Sequence, residues 1–388
     1  MFPSAKAVSP LRRIHPSSCQ VNVPFLELKP GYEAHRAEFD AAYSRVMGSG
    51  RYLFGPELDA FEEEYRKSIG SAYCVGVANG LEALQMLLMA LDIGPGDEVI
   101  VPSNGYIATW LAVSHVGARI VPCEPDSRTY NIDPDRLNDA ITPRTKAIMP
   151  IHLYGQPADM RAINAIAADW GIPVLEDAAQ SHGAKCFGKE AGSLGFAAGT
   201  SFYPSKNMGA FADAGAVSSS DQVLAEKVRC IRNYGSKERY YNEMIGLNSR
   251  MSELQAAFLR VKLLHLPSEN DRRKTNAKTY LARLPNLPVL TLPFVPDWAE
   301  PVWHLFVVRT PRRDELREYL SANRIATQIH YPVPPHLSQA YKHLGFKKGA
   351  FPIAELLASE VMSLPIGPYF TEPEIDYVCA RVTSFFGR

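Results

Sequence analysis

The chain has 388 residues, formal net charge +0, 46% hydrophobic and 21% charged residues, an ordinary globular composition with length for two domains. This charge balance gives no footing to nucleic-acid or membrane-surface binding, and no apolar run reaches the roughly 18 residues of a membrane helix. The six cysteines are scattered, with no Cys-x-x-Cys pair, as expected of reduced thiols in a cytoplasmic protein.

Residues 1–20 lack the continuous apolar core of a signal peptide and read as a polar, Pro/Ser-containing tail. From PELDAFEEEYRKSIG onward, helix and strand patterns alternate. That segment is a helix begun by Pro56, with Leu58, Phe61, Tyr65 and Ile69 on one face. AYCVGV is a strand, GLEALQMLLMALDIG a helix, EVIVPS a strand, YIATWLAVSHVG a helix and RIVPCEP a strand. DPDRLNDAI (helix), KAIMPIHLYG (strand), DMRAINAIAADWG (helix) and IPVLEDAA (strand) continue the series. Apolar strands separated by helices predict an α/β fold with a mostly parallel sheet covered on both faces. SELQAAFLRVKLLHL is a long helical segment, expected to break at Pro267. WHLFVVRT and ATQIHYPV are further strands in a second region. The expected division is a tail at 1–20, a large domain at 21–260 and a smaller α+β domain at 261–388.

Function in such sheets collects where strands end and helices begin. In VANGLEAL, Asn79 and Gly80 precede a helix, so free N–H groups and the positive dipole end could cradle a phosphate. The plainer reading is a tight turn with Asn79 as N-cap. No G-x-G-x-x-G or Walker pattern accompanies it. In PVLEDAAQSHG, Glu176 and Asp177 end a strand, either as ordinary polar ends or as carboxylates entering the crevice. A carboxylate there could keep an aromatic ring nitrogen protonated. In AGSLGFAAGTSFYPSKNMGAFAD, Lys206 is the lone charge between Glu190 and Asp213, among Phe202, Tyr203, Met208 and Phe211. A weakly solvated ammonium has a lowered pKa, which frees its amine for Schiff-base chemistry. Ser201 offers a hydroxyl for a phosphate, and Tyr106 a flat face for an aromatic ring. Phosphate cradle, carboxylate, aromatic plate and lysine together match the needs of pyridoxal 5′-phosphate.

GPELDAFEEEY, GPGDEVIVPS, HLYGQPADM, VLEDAAQSHGA, SFYPSKN, RNYG, SELQAAFLRVKL and IHYPVPPH resemble, in order, segments of the DegT/DnrJ/EryC1/StrS sugar aminotransferases. The resemblance runs from about residue 23 onward and implies the aspartate-aminotransferase-like (type I) fold. It implies that Lys206 holds pyridoxal 5′-phosphate as a Schiff base and that Asp177 pairs with its ring nitrogen. Gln180 would bond its phenolic oxygen, and Tyr106 would stack on its ring. The N–H groups of Gly80 and Leu81, with the Ser201 hydroxyl, would hold its phosphate. Many relatives have threonine where this chain has Leu81, so one hydroxyl contact is missing. Asn248 would reach the phosphate of a neighbouring subunit, which implies a homodimer with shared sites, and Arg250 would lie near the nucleotide-sugar phosphates.

One subgroup of the family carries histidine in place of the lysine and dehydrates; Lys206 points instead to transamination. The segments around Tyr203 and around His330, Tyr331 and His336 look most like enzymes that aminate a dTDP-linked 3-keto-6-deoxyhexose with L-glutamate as donor. The plainer reading of HYPVPPH is a proline-stiffened loop. A 4-keto-sugar aminotransferase is the nearest alternative, and a non-catalytic cofactor-binding regulator is the alternative from another class. His115, His152 and His265 read as packing residues, and no cluster has metal-ligand spacing.

Overall fold

Strands made of small and β-branched residues meet in one sheet at the centre of the molecule. The computed structural model describes residues 21–284 and 287–387; the expected tail lies outside the described residues. Four strands pair in the order Tyr73–Val77, Gly215–Ser219, Ala197–Ser201, Leu175–Asp177. Three more pair as Arg119–Cys123, Glu98–Pro102, Thr145–Ile148. Parallel bridges from Ile148 to Val174 and from Ile151 to Asp177 join the two sets. Gly215–Ser219 runs antiparallel to both of its neighbours, and every other pairing between adjacent strands is parallel. The sheet is therefore mixed and mostly parallel.

Both faces are covered. On one, helix Gly80–Ala90 buries Leu84, Met86, Leu87 and Leu88 with Trp110 and Val113 of helix Ala108–His115. On the other, helix Pro56–Ile69 packs against helix Glu253–Arg283 around Phe61, Tyr65, Phe202 and Leu259. Buried Glu253 ties these two helices together: its carboxylate accepts from the Gly55, Glu57 and Leu58 N–H groups at 2.8, 2.9 and 3.1 Å. Those donors open the Pro56 helix and have no intrahelical partner.

A second core lies around the antiparallel pair Phe306–Arg309 and Val361–Leu364, covered by helix Glu372–Phe386 and by Ala277 and Tyr280 at the end of the long helix. Two elements join the expected large-domain range to the second core. Val23 bridges to Ile325 and packs in the second core, and the long helix runs unbroken from Glu253 to Arg283 through Pro267. Proline removes one helical hydrogen bond; burial of the helix in a core at each end outweighs that loss. ATQIHYPV forms one isolated bridge, Gln328 to Ser363, in place of the expected strand. Among the described residues no helix is long and apolar enough to cross a membrane, and five cysteines are free and buried.

Candidate active site

A cavity of about 500 Å³ opens at the carboxyl ends of the parallel strands. Gly80, Leu81, Tyr106, Asp177, Gln180, Ser201, Tyr203, Lys206, His330 and Tyr331 all line it. These residues come from well-separated stretches of the chain, and the sheet brings them together.

Lys206 follows the strand Ala197–Ser201, its N–H bonded to the Tyr203 carbonyl at 2.8 Å. Burial pulls its ammonium down to a pKa of about 8, against an opposing pull from the Asp177 charge. Of the four neighbours Phe202, Tyr203, Met208 and Phe211, Tyr203 lines the cavity and the other three do not. Phe202 and Met208 sit in the core beyond the cavity, and Phe211 stacks edge-on against Phe39 and Phe258. Leu84, Leu111 and Ile151 line the cavity instead.

Asp177 ends its strand 6% exposed. Its Oδ2 accepts from Thr109 Oγ1 at 2.6 Å and its Oδ1 from the Ala179 N–H at 3.1 Å. Both bonds fix the direction of the carboxylate. Gln180 Oε1 accepts from the Tyr154 N–H at 2.7 Å, and its Nε2 donates to the Tyr331 hydroxyl at 3.2 Å. The Tyr331 ring lies 5.4 Å from that of Tyr106, tilted by 38°.

Asn79 caps the next helix: its side chain accepts from the Glu82 N–H at 2.9 Å. That leaves the Gly80 and Leu81 N–H groups at the helix start without intrahelical partners. Close packing explains the glycines around this turn. A Cβ on Gly80 would lie 2.6 Å from the Ser201 Cβ, and one on Gly215 would lie 2.4 Å from the Asn79 carbonyl carbon. Helix start and Ser201 are thus pressed together into a cradle of backbone donors and one hydroxyl.

Three expected residues lie outside the cavity. Asn248 is exposed and bridges to Asn233, and the Arg250 guanidinium sits 5.4 Å from the Tyr234 ring centroid. His336 is a correction. It is 1% exposed, its Nε2 lies 3.0 Å from Glu355 Oε1, and its ring packs on Phe351. It closes a loop against the helix Pro352–Glu360 and does not border the sugar pocket.

The structure also adds residues. His304 lines the cavity, its Nδ1 3.3 Å from Asn207 Oδ1, with its pKa driven down by burial and by Lys206. Burial and Lys206 also lower His330 to about 4 and His182 to about 3. These imidazoles are neutral near pH 7, so they add no charge beside the lysine. His304 escaped the sequence reading because it sits inside an ordinary apolar strand pattern. Elsewhere His35, Glu38 and His265 meet, with ligand atoms within 4.8 Å of one another. The two rings stack at 3.6 Å and 13°, with His35 Nδ1 and His265 Nε2 lying 3.6 and 3.0 Å from Glu38 Oε1.

The model of the DegT/DnrJ/EryC1/StrS aminotransferase family matches residues 33–383. The chain belongs to that family. It is 53% identical over 366 residues to a dTDP-3-amino-3,4,6-trideoxy-alpha-D-glucose transaminase of Streptomyces venezuelae, covering 94% of this chain and 97% of that one. It is 51% identical to the erythromycin biosynthesis sensory transduction protein EryC1 of Saccharopolyspora erythraea, covering 94% of this chain and 100% of that one. The crystal structure of S. venezuelae DesV in complex with a ketimine intermediate superposes with TM-score 0.93 at 51% identity, covering 95% of this chain and 99% of that one. The fold is that of this aminotransferase family, in agreement with the resemblance read from the segments.

Proposed function

We propose that this protein is a pyridoxal 5′-phosphate-dependent aminotransferase that moves an amino group from L-glutamate to C3 of a dTDP-linked 3-keto-6-deoxyhexose. The observation that carries the chemistry is the placement of Lys206 and Asp177 in one cavity beside a cradle of free helix-start donors. The sugar assignment is supported by the name of the 53% identical relative.

The residues fit the cofactor. Gly80, Leu81 and Ser201 would hold its phosphate, Tyr106 would cover its ring, Asp177 would face its ring nitrogen and Gln180 its phenolic oxygen. When bound, the cofactor supplies an electron sink for negative charge at the amino-bearing carbon. Asp177, held in place by Thr109 and Ala179, would put a negative charge beside the ring nitrogen and so favour its protonated form. Lys206 Nζ, its pKa lowered to about 8 by burial, would accept the substrate proton and return it. Tyr203, His330 and Tyr331 border the space left for the sugar. Exposed Asn248 and half-buried Arg250 would serve the site of a second copy, so the active unit is a homodimer in the cytoplasm.

The protein is expected to be yellow, to bleach on adding L-glutamate and to regain its colour on adding the dTDP-3-keto-6-deoxyhexose. Recovery with a 4-keto-sugar alone would move the assignment to C4. The name of the Saccharopolyspora relative supports a second reading, a sensory protein that binds the cofactor without turnover. Sequence-specific binding in a mobility-shift assay, with no colour change on adding glutamate, would favour it.

A further inference from the structure

A second cavity, about 340 Å³, adjoins the first and shares Tyr203, Ser205, His304 and His330 with it. Arg273, on the long helix, lines only this second cavity. Its side chain is buried, 4% exposed, yet no carboxylate pairs with it within 4 Å among the described residues. Glu269, one turn earlier, instead accepts from the Tyr369 hydroxyl at 2.7 Å and lies 3.8 Å from His35. Arg273 makes two long hydrogen bonds, both from Nη1, to the Trp303 and Ile366 carbonyls at 3.3 and 3.5 Å. Nε and Nη2 donate to nothing among the described residues.

A buried guanidinium with unused donors carries a large desolvation cost unless an anion meets it. We propose that Arg273 and this cavity form the subsite for a carboxylate of the amino-acid donor. The inference rests on the aminotransferase reading and adds to it the residue that selects the donor. Planar carboxylate and guanidinium match in a two-bond fork, and the unused Nε and Nη2 supply one edge of that fork. His304 and His330 are neutral here, so among the described residues Arg273 and Lys206 are the cations that line the two cavities. A carboxylate bound there leaves the rest of a five-carbon donor pointing through the shared wall toward Lys206.

The test compares the two half-reactions in Arg273→Gln and in Arg273→Lys, which keeps the charge without the fork. Glutarate, as a carboxylate probe, is expected to compete with L-glutamate at the wild-type enzyme. Arg273→Gln is expected to raise the apparent Kd for L-glutamate about thirtyfold, the scale of a lost charge-assisted hydrogen bond. Arg273→Lys should fall between, and the half-reaction with the dTDP-3-amino sugar should change far less in both. Equal losses in both half-reactions, unchanged glutamate affinity in either variant, or no competition by glutarate at the wild-type enzyme would overturn the subsite. A wild-type enzyme that responds to neither glutamate nor amino sugar would instead overturn the aminotransferase reading, and the subsite with it.

Discussion

Glu176 and Asp177 are consecutive at the end of one strand, yet their carboxylates serve opposite faces of the sheet. Asp177 lines the cavity with Lys206. Glu176, fully buried, accepts from the Gly192, Leu194 and Gly195 N–H groups at 2.7, 2.6 and 2.7 Å and lies 2.8 Å from His152 Nε2. The pleat of the strand alone makes this separation.

The pair should therefore separate chemistry from stability. Asp177→Asn is expected to fold and melt like the parent while losing turnover roughly a hundredfold, because a neutral amide no longer favours the protonated ring nitrogen. Glu176→Gln should instead lose about 2–3 kcal/mol of stability, since it weakens three charge-assisted bonds to backbone donors. Thermal melts and steady-state kinetics on both variants check this.

Lys206 should capture pyridoxal 5′-phosphate with a rate that rises around pH 8, where its amine becomes neutral. A solvated lysine would show that rise near pH 10.4. The same shift acts on stability. With a folded pKa of about 8 and an ordinary one of 10.5, the folded protein holds fewer protons than the unfolded chain between those values. This group's contribution therefore favours folding progressively as pH rises through that window. Stopped-flow absorbance of cofactor-free protein across pH 6–11 measures the capture rate.

Gly80→Ala should weaken cofactor retention. The added Cβ would meet Ser201 at 2.6 Å, so helix start and strand end must part and the cradle of donors opens. An increase in cofactor Kd of about tenfold, read by fluorescence titration, corresponds to roughly one strained contact or lost hydrogen bond.

Dimers with shared sites predict complementation. Lys206→Ala and Asn248→Asp should each be inactive alone, the second because a carboxylate would face a phosphate. After unfolding and joint refolding, each mixed dimer would carry one intact site, and about a quarter of parent activity should return. No recovery would place Asn248 in its own chain's site or outside any site.

The sheet and its covering helices were legible because buried parallel strands read as apolar runs between helical patterns. The antiparallel strand Gly215–Ser219 was not, since its Gly-Ala-Val-Ser-Ser run has neither alternation nor bulk. At the site, lysine, carboxylate and helix start were legible as chemistry at strand ends. Phe202 and Phe211 are near Lys206 in sequence but not in the cavity, whose apolar wall comes from Leu84, Leu111 and Ile151. His336 is expected beside the sugar, but it is buried against Glu355, nineteen residues later, as the plainer loop reading of HYPVPPH allows. His304 and Arg273 reach the cavities only through packing of the second core against the first, which no local pattern encodes.

The central claim is tested most directly by turning over dTDP-3-keto-6-deoxyhexose with L-glutamate labelled with nitrogen-15 and examining the product by NMR. The account predicts nitrogen-15 bonded to C3 of the sugar, with none in a Lys206→Ala control. Label at C4, or a sugar that never acquires it, would contradict the account.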